Sequence, residues 1–131
     1  MNTHPRYRLL VVSNETVEAP KLHSLLRRRT ALQPSRVVIV APGMVDGRPL
    51  DTALDRLDEM GIQADGWSGD ASPLLAIDDA LRVFPADEII VVTHQPGESS
   101  WLDQRLVERA RASFDIPVTH LTVDVRTPQL V

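Results

Sequence analysis

Two segments of this chain, RVVIVAP (Arg36 to Pro42) and DEIIVVTH (Asp87 to His94), are nearly unbroken runs of aliphatic and β-branched residues. A strand wetted on one face alternates apolar with polar residues. These two do not alternate, so each needs apolar cover on both faces. A sheet held between two layers of helices supplies that cover. Helix-period segments separate the strands along the whole chain, which is the pattern of βα units and a parallel sheet.

The remaining elements follow from the same periodicities. YRLLVVS (Tyr7 to Ser13) is the first strand, and APKLHSLLRRR the helix after it, with Pro20 in the first turn and Leu22, Leu25 and Leu26 on one face. In LDTALDRLDEMG, Leu50, Leu54 and Leu57 recur at helical spacing and Gly61 is the stop. IQADGWSG (Ile62 to Gly69) is a more polar strand, placed at an edge. GDASPLLAIDDALRVF is read as a helix capped by Ser72, with Pro73 in its first turn and Leu74, Ile77, Leu81 and Phe84 as its buried stripe. The fourth helix carries Leu102, Leu106, Ala110 and Phe114 on one face, and IPVTHLTVD (Ile116 to Asp124), with a proline and alternating polarity, is the other edge strand.

Right-handed crossovers leave few ways to thread these elements. The expected fold is α/β: a three-layer doubly wound arrangement on a five-stranded parallel sheet of order 3-2-1-4-5. It forms one domain over residues 1–131, with a core at about 6–124 and a short tail at 125–131. The first and fourth strands are then neighbours whose connections leave to opposite faces. Ligands of such sheets bind in the crevice at that switch point, beyond the strand C-termini. Its lips are SNETVE (Ser13 to Glu18) and THQPGESS (Thr93 to Ser100).

Charge and composition remove several functions. There are 14 Lys+Arg against 18 Asp+Glu, a net charge of −4, so no basic surface for nucleic acid or an anionic membrane is expected. The basic run Arg27 to Arg29 is read as a solvated helix terminus that complements the negative end of the helix dipole. Without cysteine there is no disulfide and no thiolate chemistry. No apolar run approaches the roughly 20 residues of a membrane span. MNTHPRYR lacks the apolar core of a secretory signal, and the expected location is the cytoplasm.

The crevice residues carry whatever chemistry there is. Gly97 permits close backbone approach, while Ser99 or Ser100 can cap the next helix, whose free N–H groups attract anions. An ordinary strand-to-helix turn asks for the same residues, so both readings stand. His94 ends its strand with no nucleophile and acid at fixed spacing beside it, and the four histidines show no metal-ligand spacing. Catalytic and metal-binding residues are therefore assigned to none. Neither G-x-G-x-x-G nor G-x-x-x-x-G-K-[ST] is present.

The order of elements, with GDASPLLAIDDAL and ADEIIVVTH…RLVERARASFDIPVTHLTV, resembles the universal stress protein family. That resemblance implies a universal stress protein-like, adenine nucleotide alpha hydrolase-like fold. ATP-binding members of the family carry Gly-x2-Gly-x9-Gly-Ser/Thr after the fourth strand and an acid at the end of the first. Here Gly97 is the only glycine after Gly69, so the three-glycine phosphate wrap is missing and this chain reads as a divergent member. The family's Gly-Ser pair falls at Gln104 and Arg105, and its first-strand acid near Ser13 or Asn14, with Glu15 beside them. Arg105 either aims at the crevice and holds phosphate bidentately, or turns outward and pairs with Glu108.

The expected binding set is Ser13, Asn14, Glu15, Ala41, Thr93, His94, Gly97, Ser99, Ser100 and Arg105. No cofactor is assigned; the candidate ligand is a nucleotide or a phosphate-like anion. The resemblance further implies a homodimer through the last strand, Pro117 to Val123. The reading is a stress-response binding or regulatory module with a degenerate nucleotide crevice that does not take ATP in the usual way. Its alternatives are a non-ligand-binding dimeric interaction protein and, behind that, a nucleotide or phosphoester hydrolase.

Overall fold

The structure is a computed structural model describing residues 6–94 and 100–123, with side chains from residue 105 onward in the second span. Strands and helices alternate as β1 (Tyr7–Val12), α1 (Pro20–Leu32), β2 (Ser35–Pro42), α2 (Arg48–Glu59), β3 (Ala64–Gly69), α3 (Pro73–Val83), β4 (Glu88–His94), α4 (Ser100–Ser113) and β5 (Val118–Val123). The five strands form one sheet in the order β3-β2-β1-β4-β5, and every pairing is parallel. This is the doubly wound fold that the apolar runs require.

Strand parity divides the core. Leu9 and Val11 of β1 pack with Val37, Ile39 and Ile90 against Leu22 and Leu26 of α1 and Leu50, Ala53 and Leu57 of α2. Leu10 and Val12 point the other way, joining Val38, Val40, Ile89 and Val91 against Ala76, Ile77 and Ala80 of α3 and Val107 and Ala110 of α4. β1, β2 and β4 are thus covered on both faces. Burying one such aliphatic side chain contributes roughly 1.5–3 kcal/mol.

Several boundaries differ from the sequence expectation. α1 runs on to Leu32 instead of ending at Arg29, because Thr30 to Leu32 still satisfy the ladder and Thr30 Oγ1 donates to Leu26 O at 2.8 Å. Ser72 occupies the N-cap of α3 without a side-chain cap bond; its own N–H donates to Asp70 Oδ1 at 2.8 Å, so Asp70 shapes that turn. β3 begins at Ala64 because Ile62 belongs to the end of α2. There Gly61 has φ +83°, its N–H donates to Asp58 O at 2.9 Å, and Ile62 N–H donates to Leu57 O at 2.9 Å. This is a Schellman cap, with Ile62 and Leu57 both in the core. An added Cβ at Gly61 would meet nothing within 4 Å, so Gly61→Ala tests backbone strain alone. We expect it to cost about 1–2 kcal/mol, read as a lowered urea midpoint with unchanged m-value.

The N-terminal ends of the strands are tied by a buried polar network. Glu88 opens β4 and is only 5% exposed. Its Oε1 accepts from Tyr7 Oη at 3.1 Å and from Arg29 Nη2, and its Oε2 accepts from Thr119 Oγ1 at 2.5 Å. Burial pushes the carboxyl pKa upward. The hydrogen bonds from Thr119, Arg29 and Tyr7, with the Arg29 charge, outweigh burial and hold it below the usual carboxylate range. The phenol of Tyr7 is pushed up, by burial first and then by Glu88. Arg29, read from sequence as a solvated terminus, is in fact the counter-ion of a buried acid.

Candidate functional site

β1 and β4 are neighbours, but β1 leads to α1 on one face and β4 to α4 on the other. Their C-terminal ends part there and leave a cleft of about 240 Å³. The β1–α1 loop supplies Ser13, Asn14, Glu15 and Thr16 to its wall, and the end of β4 supplies Thr93 and His94. Pro42, Ala71, Pro73 and Leu106, with the strand valines Val12, Val91 and Val92, complete the lining with apolar surface.

The loop is held in place by its own short polar side chains. Thr16 is buried, and its Oγ1 donates to Val92 O at 3.3 Å across the switch point. That commits the Thr16 hydrogen, so Ser13 Oγ, 2.5 Å away, is the donor to Thr16. Asn14 Nδ2 donates to Pro42 O, tying the loop to β2. His23, buried on α1, has Nε2 2.9 Å from Val17 O; a carbonyl only accepts, so Nε2 carries the proton. Thr16 was not singled out in the sequence, and His23 was read only as a helix histidine without metal-ligand spacing. Thr16 lies inside the lip segment, but nothing local marks it as the residue that reaches β4.

At the mouth, Glu15 Oε1 and His94 Nε2 stand 2.8 Å apart, joining the two lips. With 77% and 37% of these side chains exposed, solvent limits the pair to about 1 kcal/mol at most. Deeper in, Thr93 Oγ1 shares a 2.6 Å hydrogen bond with His120 Nε2 of β5.

The structure thus brings Ser13, Asn14, Glu15, Thr93 and His94 to one cleft. Ala41 is fully buried, and the wall at that strand end is the next residue, Pro42. Arg105 is exposed and Leu106 faces the cleft in its place, as expected when successive helical residues are about 100° apart. Ser100 begins α4 at the cleft end of the sheet, while Gly97 and Ser99 lie outside the described residues. Among the described lining residues the only ionisable side chains are Glu15 and His94, with no Lys or Arg. Among the described residues no three His, Asp or Glu side chains gather closely enough to hold a metal, and no helix is long and apolar enough to cross a membrane.

No family model matches the sequence, and no curated protein matches it. A solved structure does. A universal stress protein family protein from Arabidopsis thaliana, crystallised with AMP bound, aligns with a TM-score of 0.63 over 94% of this chain and 96% of that one. At 10% identity the likeness is one of fold: this chain has a universal stress protein-like α/β architecture.

Proposed function

We propose that this protein is a binding module whose β1/β4 cleft takes a compact ligand, a nucleoside monophosphate or a phosphate-like anion, and does not take a triphosphate in the usual way. The observation that carries the reading is the convergence of Ser13, Asn14, Thr93 and His94 on one cleft at the switch point. The AMP held by the Arabidopsis protein of the same fold supports it. At about 240 Å³ the cleft falls below the roughly 300–1,000 Å³ of drug-sized ligand sites, which favours a small occupant. Glu15 at the mouth opposes a long polyphosphate, and the sequence lacks the three glycines that would wrap one. The α4 N-terminus at the same end of the sheet offers backbone N–H groups to a single phosphate. Among the described residues His94 pairs with the Glu15 carboxylate, which supports a regulatory role over hydrolysis.

Calorimetric titration with AMP, cyclic AMP, ATP and inorganic phosphate tests this. AMP or phosphate should bind, with ATP no tighter than AMP. Each forfeited phosphate hydrogen bond is worth roughly 0.5–1.5 kcal/mol, so losing a few removes tens-fold in affinity relative to a full wrap. No heat from any of the four at millimolar concentration rejects the proposal.

One observation favours a second reading, an interaction module that needs no ligand. Ser13, Asn14, Glu15 and Thr93 are each already hydrogen-bonded within the protein. Under that reading all four titrations are silent while the fold stays intact.

A further inference from the structure

The β1–α1 loop is fixed on both sides of Glu15. Asn14 Nδ2 donates to Pro42 O of β2, and Thr16 Oγ1 donates to Val92 O of β4 at 3.3 Å. Within the loop, Val17 N–H donates to Asn14 O at 3.2 Å and Ala19 N–H to Thr16 O at 3.0 Å. Among the described residues the Glu15 side chain, mostly in solvent, has one polar partner, His94 Nε2 at 2.8 Å. A carboxylate only accepts, so Nε2 carries the proton and donates it. The backbone is pinned, while this side chain is free to change rotamer.

Among the described lining residues His94 is the only one that can carry a positive charge, and its N–H is committed to Glu15. An anion entering the cleft would seek the same donor. Resting on the ligand reading above, we propose that Glu15 is a built-in competitor: it stands in for the ligand's anionic oxygen at His94, and a phosphate-bearing ligand binds by turning it out of the mouth.

The surroundings bias the side chain toward His94. Glu15 also borders a neighbouring groove, shared with Asn14, that carries Glu18 and Asp46. Turning that way brings the carboxylate toward like charges, of which Asp46 is partly offset by Arg48 at 2.8 Å. Ser13 and Asn14, by contrast, spend their bonds in buried or half-buried positions and hold the wall itself. Glu15 is therefore the lining group that can be exchanged without loosening the loop. Solvent sets the size of the effect: a screened pair of this kind handicaps a competing anion by at most about fivefold. That raises the concentration at which the cleft fills without sealing it.

Calorimetric titration of the full chain with inorganic phosphate and with AMP tests the competitor. Glu15→Ala should bind them about fivefold more tightly than wild type. Glu15→Asp keeps the charge but is one methylene shorter, so it should lose the contact and still gain about threefold. Glu18→Ala removes an acid of the adjoining groove that does not line the cleft, and should stay near wild type in ordinary salt. The proposal is overturned, with the ligand reading left standing, if wild type binds and Glu15→Ala binds no tighter. It is equally overturned if Glu15→Asp stays at wild type while Glu18→Ala gains as much as Glu15→Ala, the mark of a general field. Silence from wild type and every variant rejects the ligand reading and the competitor together.

Discussion

Glu88→Ala lowers the stability of this protein by about 3 kcal/mol, at the lower end of what breaking a buried ion pair costs. For a domain of this size that is a fall in Tm of roughly 10 °C. The acid is almost wholly buried, and three elements donate to it: Tyr7 of β1, Arg29 of α1 and Thr119 of β5. Alanine leaves all three donors without their acceptor. Arg29 still has 31% of its side chain in solvent and can turn to water, which keeps the loss from being larger. Thermal unfolding followed by circular dichroism measures it; a change in Tm of only a degree or two would show that the network contributes little.

The same carboxyl makes stability depend on pH, in a stated direction. Its folded pKa lies below the ordinary value, so its contribution is fully present above the unfolded pKa of about 4.3 and is lost as pH falls through the lower folded value. Asp87, lowered by the backbone and side-chain hydrogen bonds of Arg8, adds in the same sense. Glu88→Gln keeps the shape but cannot ionise. Its stability should therefore be lower than wild type at neutral pH and fall less steeply on acidification below about pH 4.

Gly69→Val costs about 2–3 kcal/mol through overpacking. A Cβ at this position, the end of β3, would sit 2.8 Å from Val40 Cγ2 and 2.9 Å from Ala76 Cβ, distances that real Cβ atoms essentially never show. Ala76 is buried in α3, so the strain pushes on the helix itself. Ala71 and Pro73, at the start of that helix, line the cleft, and any ligand affinity should weaken with the displacement. Urea unfolding gives the stability term. Gly69→Ala paired with Ala76→Gly removes one of the two clashing atoms and should recover part of the Gly69→Ala loss, whereas strict additivity would locate the strain elsewhere.

Gly69 also shows how far local sequence reaches. The segment GDASPLL reads as a turn into a helix, and α3 does start at Pro73. What makes a side chain at Gly69 intolerable is the approach of Ala76 from the helix and Val40 from β2. The cleft divides in the same way. Its position at the ends of β1 and β4 was legible because strand order follows from the apolar runs and crossover handedness, and that order defines a switch point. Ser13, Asn14, Glu15, Thr93 and His94 follow from it. The side chain facing the cleft from α4 depends on how that helix is rotated against the sheet. The sequence left Arg105 with two orientations, and packing turned Leu106 inward.

The base of the sheet was not legible at all. Glu88 meets Tyr7, Arg29 and Thr119 across separations of 81, 59 and 31 residues. No periodicity connects those positions, and an arginine inside the run Arg27 to Arg29 looks like any solvated cation. Sequence by itself determined the layers, the strand order and the place where a pocket must open, because hydrophobic period and backbone handedness act locally and repeat. The partners of individual polar groups, those of Glu88 among them, were decided only by tertiary structure, because a hydrogen bond depends on tenths of an ångström between chain segments that local rules do not relate.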